Sequence, residues 1–261
     1  MNASIVSPIA QSGAGSGPVA PLDIPRVVRR GLRLIRARPV TILAASLLLY
    51  GAPDAIDAWL MAQPYSRGLA RVGIILASSS VTSGLGSLLL AWLAVQLANE
   101  ASLRPASVFR SAGRALVAAP ALFALTVIYL LAVLGGMILL VVPGAMIGIA
   151  WSIGAPALAV ERLSPLPALS RSADLTRGNR WRLFGLMAAV ALPLSVPNLL
   201  ARYLLADHNV VVLGSVLKFS AIVVAPLVST LSQGVVDVLL ASAYVELARL
   251  DRGVALAEVF A

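Results

Sequence analysis

The residues that could do chemistry in this 261-residue chain are few. There is one histidine, His208, and no cysteine, which excludes disulfides and thiolate chemistry. A metal site needs several His, Cys or carboxylate ligands that converge, and the sequence shows no such cluster. It also lacks a P-loop, an H-E-x-x-H pattern and a G-x-S-x-G elbow in a strand–helix context. We therefore expect no catalytic residue, no metal site and no cofactor.

Carboxylates inside apolar segments are the remaining candidates. Asp237 lies near the middle of one such segment with Gln233 one turn before it, and Asp54 and Asp57 lie toward the end of another. Because burial of a charge in lipid costs several kcal/mol unless the charge is paired or hydrated, these residues are candidates for function. Two interpretations stay open: a proton or solute pathway, or polar contacts that fix helix packing.

The composition indicates a membrane protein. Apolar residues make up 59% of the chain and charged residues only 12%, against about 45–50% and 25% in soluble domains. The mean hydropathy is +0.93. The net charge of +9 comes from arginines beside apolar segments, which favours anionic lipid over nucleic acid as the partner.

The apolar segments predict an all-α polytopic protein with six transmembrane helices, since a span needs about 20 apolar residues. The uncharged stretch 118–161 is long enough for two crossings, and we expect Pro143-Gly144 to divide it. The chain is predicted as a flexible tail (1–20), a membrane domain (21–252) and a short C-terminal tail (253–261). The other four spans are expected at about 40–62, 72–98, 183–204 and 221–248.

The distribution of basic residues predicts the orientation. With the N-terminus inside, 16 of the 20 basic residues fall on the inner side and only Arg67, Arg71, Arg202 and Lys218 on the outer side. This asymmetry is typical of a protein whose inner loops face the cytoplasm. We therefore expect a multi-pass protein of the bacterial inner membrane with both termini cytoplasmic.

A short basic amphipathic helix is predicted before each odd-numbered span, on the cytoplasmic face. These segments are about 24–35, 105–117 and 165–180. Asp23 is the expected N-cap of the first. In the third, Leu166, Leu169 and Ala173 form the expected apolar stripe, and Gly178-Asn179 is expected to end the helix in a left-handed turn.

Small residues predict where helices touch, because close approach supplies much of the packing between helices in lipid. They are Gly84 and Gly86 in the second span, Gly135-Gly136 in the third, and Gly144-x-x-x-Gly148 in the fourth.

The segment Val142–Leu186 carries the most distinctive pattern. A Pro-Gly hairpin and Pro156 precede Glu161-Arg162, and Ala168-Leu169, Arg171-Ser172, Arg177-Gly178-Asn179 and Trp181 follow. The segment resembles the bacterial six-span family that contains the glycerophosphoryl diester phosphodiesterase membrane domain and the YciC-like proteins. The resemblance implies the membrane part alone, without the phosphodiesterase domain of some members and without catalytic residues.

The same segment suggests a lipid site. Arginines and a tryptophan at the inner interface favour an anionic headgroup or phosphate, although they could equally serve only to set topology. The candidates are Arg171, Ser172, Arg177, Asn179, Arg180 and Trp181. We expect a non-enzymatic protein that engages phospholipids of the anionic inner leaflet or scaffolds a membrane-protein partner. The alternative is a small permease with a path near Asp237.

Overall fold

The structure is a computed structural model, and it describes residues 21–54, 56, 68–101, 108–206 and 225–259. These residues form α-helices joined by short turns, with no strand among them. The expected all-α class is therefore confirmed for the described part of the chain. The predicted tail 1–20 lies outside it.

Ten α-helices and one π-helical turn follow one another along the described ranges. The π-turn, Leu47–Gly51, continues α2 without a break. The α-helices are α1 (Ile24–Ala37), α2 (Pro39–Ser46), α3 (Gly68–Ala101), α4 (Val108–Val117), α5 (Ala119–Leu139), α6 (Val141–Trp151), α7 (Gly154–Glu161), α8 (Pro165–Leu175), α9 (Arg180–Ala206) and α10 (Ala225–Val259).

The first surface helix begins as predicted. The side chain of Asp23 accepts a hydrogen bond from the backbone N–H of Arg26, and a proline lies in the first turn, so the first turn is capped and its φ angle is preset. The buried face of α1 consists of Val27, Gly31 and Leu34. A Cβ at Gly31 would lie 3.2 Å from the Leu239 side chain of α10, so the glycine allows close packing of the two helices.

Helices α5 and α6 form a hairpin that divides at Leu140, three residues before the predicted Pro143-Gly144. Leu140 is extended, with a ψ of 135°, and Pro143 lies in the first turn of α6, where its missing N–H costs nothing. Gly136 and Gly144 face each other, since a Cβ on Gly136 would lie 2.8 Å from the Cα of Gly144. The neighbouring Gly135 meets nothing within 4 Å, so only one of the two predicted glycines packs here.

Helix α10 is the central element and packs against α1, α2, α3 and α9. Its residues from Val238 to Ala248 are almost all buried. The helix runs to Val259, so residues 253–259 of the predicted C-terminal tail are helical.

Among the described residues, four helical segments are long and apolar enough to cross a membrane: Val81–Asn99, Ala119–Leu139, Val141–Glu161 and Leu227–Gly253. Pro39–Asp54 is a shorter apolar helix. The structure therefore supports a helical membrane protein. The predicted number of six transmembrane helices is not confirmed by these four segments.

Two predicted apolar stripes were wrong in detail. In α8 the buried residues are Ala168, Leu169, Ser172 and Leu175, whereas Leu166 is 66% exposed. For α4 the sequence spacing predicts Val108, Ala112 and Leu116 on one apolar side, whereas the buried residues are Ser111 and Ala115, and Leu116 is exposed. An apolar side chain beside lipid has no need to face the protein interior, so hydrophobicity alone does not identify the packed face of such a helix.

Candidate functional site

A buried carboxylate near the C-terminal end of α10 binds the first surface helix. Glu246 has a side chain only 1% exposed, and its Oε1 accepts a hydrogen bond of 2.9 Å from Nη1 of Arg26. Nη1 of Arg30 lies 3.3 Å from Oε2, an ion-pair distance without hydrogen-bond geometry. The hydrogen bond to Glu246, followed by its charge, raises the pKa of Arg26. Nη1 of Arg249 lies farther away, 3.8 Å from Oε1. Three cations thus surround one buried anion, which would be strongly destabilising if it were left unpaired.

A second charge cluster joins α7, α8 and α10. Nε of Arg171 lies 3.1 Å from Oε2 of Glu161, and Nη2 of Arg171 lies 2.8 Å from Oδ2 of Asp251. The Tyr244 hydroxyl donates to Glu161 at 3.0 Å. Burial lowers the pKa of Arg171, but the hydrogen bond that it donates to Asp251 and the charges of both carboxylates raise the pKa overall. Arg171 is therefore a structural cation between two acids as well as a predicted lipid ligand.

Two other predicted lipid ligands are engaged inside the fold. Ser172 Oγ donates to the carbonyl of Ala150 at 2.8 Å and is fully buried. Asn179 is 1% exposed, and its Oδ1 accepts a 2.8 Å hydrogen bond from the backbone of Leu22. Gly178, between the two helices, has a φ of 79°, as the expected left-handed turn requires. Ser172 and Asn179 thus hold the α8–α9 turn in place.

The remaining three candidates lie around that turn. Arg177 is exposed and pairs with Asp174 at 3.0 Å, and Nε of Arg180 is buried without a partner in the described ranges. Trp181 is 73% exposed and makes an edge-on contact with Phe184 at 6.0 Å between ring centroids. The six predicted residues therefore do not share one pocket. Arg177 and Trp181 face outward, and the others face protein.

Exposed arginines and exposed large apolar side chains alternate on the three surface helices. Helix α1 presents Arg29, Arg33 and Arg36 together with Leu32. Helix α4 presents Arg114 with Phe109, Leu116 and Val117, and the α8–α9 turn presents Arg177 with Leu166, Trp181 and Phe184. Helices α1 and α8 both pair with the C-terminal part of α10, so the faces of α1 and α8 lie at one end of the bundle. Such mixed faces suit the boundary between headgroups and acyl chains.

Asp237 lies at mid-span and has a neutral partner. It is 5% exposed, and its Oδ2 accepts a 2.7 Å hydrogen bond from the Tyr50 hydroxyl. Tyr50 lies in the π-turn, a distortion that often occurs at functional sites. A Cβ at Gly86 would collide with the Tyr50 hydroxyl, so this predicted glycine provides the space for the phenol.

The other intramembrane candidates have different surroundings from those of Asp237. Oδ2 of Asp54 accepts a 3.0 Å hydrogen bond from Ser229, which links α10 to the helical residues after the π-turn. Gln233 is exposed on α10, whereas Asp237 one turn later is buried. Asp57 lies outside the described residues.

Sequence reasoning missed two residues that the fold uses. Neither Glu246 nor Tyr50 is among the candidates that the sequence predicts. A glutamate among the apolar residues of α10, opposite a helix rich in arginine, was the available signal for the first. For Tyr50 the sequence carries no signal, because the π-turn that orients its side chain arises from packing.

Within the described ranges no three His or carboxylate residues gather into a possible metal site. No family model, no curated protein and no solved structure matches this chain. The resemblance noted from Val142–Leu186 remains a hypothesis.

Proposed function

We propose that this chain is a non-enzymatic integral protein of the bacterial inner membrane that engages anionic phospholipid through its arginine-bearing end. The observation that supports this proposal most directly is the outward face of α1, on which Arg29, Arg33 and Arg36 are exposed beside the apolar Leu32. Each basic side chain near an anionic leaflet contributes about 1 kcal/mol of attraction. Because Arg26 and Arg30 bind Glu246 instead, α1 is attached to the bundle on one side and leaves three cations for lipid on the other.

The proposal includes six spans with both termini in the cytoplasm. Four segments have the necessary length and hydropathy, and Pro39–Asp54 with the 27-residue helix α9 would supply the other two. The arginine asymmetry along the sequence supports the orientation. The absence of cysteine allows a direct test. We expect Ser170→Cys to resist a membrane-impermeant maleimide in intact spheroplasts and Ser215→Cys to react, and the reverse result would contradict the orientation.

A scaffolding role is part of the same proposal. The membrane part of the glycerophosphoryl diester phosphodiesterase family, which Val142–Leu186 resembles, would be a domain of this kind without its own chemistry. A membrane-protein partner would use the same arginine-bearing end, and no nucleic acid is involved.

The deciding experiment is purification in native lipid followed by mass analysis of the lipids retained. Arg29→Gln/Arg33→Gln/Arg36→Gln should reduce the ratio of anionic to zwitterionic lipid several-fold. The control, Arg67→Gln/Arg71→Gln/Lys218→Gln, removes the same charge from the predicted outer side and should leave the ratio unchanged. Labelling of Ser170→Cys in both backgrounds confirms that orientation is retained. Equal ratios in the two triple variants would refute lipid engagement by α1.

The alternative is a small permease, and the Tyr50–Asp237 pair favours it. A buried carboxylate at mid-span, held by a phenol on a π-turn, is a plausible proton-binding element of a translocation path. Proteoliposomes loaded with a pH-sensitive dye would test it. Proton flux that Asp237→Asn abolishes would support a path, and flux equal to that of empty liposomes would remove this alternative.

A further inference from the structure

An apolar cavity of about 250 Å³ lies between α2, α3 and α4. It is larger than the cavity of about 150 Å³ that holds a benzene molecule in a protein core. Its mouth lies at the surface beside Leu116, which is 70% exposed. The lining residues are Thr41, Ala45, Leu49, Leu88, Leu89, Trp92, Ala112, Ala115 and Leu116.

The position of the cavity restricts what can fill it. Two of its walls belong to the apolar helix Pro39–Asp54 and to the candidate span Val81–Asn99, and the third belongs to the surface helix α4, so in the proposed topology it opens where the acyl chains begin below the headgroups. A cavity lined by apolar side chains does not retain water, since water there would lack hydrogen-bond partners. In a bilayer the apolar group available at this depth is an acyl chain.

Two arginines lie close in sequence to residues that line the cavity. Arg38 lies three residues before Thr41, and its Nη1 is buried without a hydrogen-bond partner in the described part of the chain. Arg114 is exposed and is adjacent in sequence to the lining residue Ala115. Phosphate is the headgroup element that guanidinium groups bind with charge-assisted hydrogen bonds.

We propose that the cavity holds one acyl chain of an anionic phospholipid, whose phosphate is bound by Arg38 and Arg114. The site rests on the proposed function and gives it a specific location, distinct from the exposed face of α1. It predicts that a single lipid is bound in preference to the surrounding bilayer.

Trp92 in the cavity wall provides the readout. A single-tryptophan protein, with Trp59, Trp151 and Trp181 replaced by phenylalanine, is reconstituted with lipids whose acyl chains are brominated and quench nearby indole fluorescence. Brominated phosphatidylglycerol should quench Trp92 at a lower mole fraction than brominated phosphatidylcholine. The expected preference is about fivefold per arginine.

Matched variants test the cavity and the charges separately. Ala45→Phe fills the cavity and should abolish the preference, and Ala44→Phe, on the exposed face of the same helix, should retain it. Ala112→Phe at the mouth repeats the test should Ala45→Phe fail to fold. Arg38→Gln/Arg114→Gln should remove the preference for phosphatidylglycerol while quenching by both lipids persists.

Equal quenching by the two lipids in the parent protein would overturn the site. Unchanged preference in both Ala45→Phe and Ala112→Phe would also overturn it. If either result is found while lipid retention still depends on the α1 arginines, the proposed function stands and this site alone is refuted. Loss of both effects would refute the two together.

Discussion

Helix α10 carries two buried carboxylates, and the side chains that pair with them differ in charge. Glu246, near the cytoplasmic end in the proposed topology, has Arg26 and Arg30 within ion-pair distance. Asp237, nine residues earlier and about 14 Å away along the helix axis, receives a hydrogen bond from the neutral Tyr50. In the described part of the chain no cation lies within 4 Å of Asp237.

Depth explains the difference. At the end of the bundle a surface helix can place arginines against a buried carboxylate while the stems of these side chains extend toward water. At mid-span an arginine would itself need a partner in lipid, so a phenol is the less costly donor. The two sites should therefore respond differently to mutation.

The largest expected effect is on the charged site. Arg26→Gln/Arg30→Gln leaves the buried Glu246 with only Arg249 within 4 Å, at 3.8 Å, and we expect the largest loss in the free energy of unfolding among these variants. Thermal unfolding in micelles, followed by tryptophan fluorescence, measures it. Arg29→Gln/Arg33→Gln on the exposed face of α1 is the control, and an equal loss there would show that α1 is held by charge in general.

The next effect concerns the space around Tyr50. Gly86→Ala places a methyl group against the phenol, so the variant loses the hydrogen bond to Asp237 and overpacks the contact. We expect a cost of about 2–3 kcal/mol, measured by the same unfolding assay. Gly185→Ala, where a Cβ would meet nothing within 4 Å, should be neutral. A neutral Gly86→Ala would contradict the close approach of α3 to the π-turn.

A smaller loss is expected from Tyr50→Phe. The variant keeps the ring and removes only the donor to Asp237, which should cost about 1–2 kcal/mol. Comparison of denaturant midpoints between this variant and Tyr129→Phe, whose hydroxyl makes a 3.3 Å bond to the carbonyl of Gly148, tests the carboxylate contact. A greater loss in Tyr129→Phe would argue that Asp237 has no special need of Tyr50.

The smallest effect should come from Asp237→Asn. The amide oxygen can still accept from Tyr50, so stability should change by less than about 1 kcal/mol. If the variant folds with unaltered stability, a measurement of proton flux then distinguishes a pathway from a packing contact. Unfolding of Asp237→Asn would instead show that the negative charge itself is required for packing.

Local signals made parts of the fold predictable. The Asp23 cap and the left-handed Gly178 were predicted because caps and turns are encoded by short-range chemistry. The all-helical class followed from long uncharged segments, since backbone groups in lipid must bond within their own segment. The hairpin division was missed by three residues because Pro143 is compatible with the first turn of a helix as well as with a turn between helices.

The site was less predictable because lateral packing in lipid leaves little trace in hydrophobicity. Leu166 was assigned to the apolar stripe of α8, but it is exposed. Ser172 and Asn179 were considered as ligands, but both are buried and bonded to backbone. Whether a polar residue serves a ligand or a neighbouring helix depends on contacts more than 20 residues away in the chain, which one sequence does not specify.

The separation of Arg26 from Glu246 has a consequence for biogenesis. The two residues are 220 positions apart, and at roughly 5–20 residues per second a ribosome needs about 10–40 s to cover that distance. During this interval the arginines of α1 have no anion from α10 and can bind lipid phosphates instead. Insertion of α10 then supplies the Glu246 carboxylate, so α1 can pack on the bundle through this contact only after α10 has been synthesised.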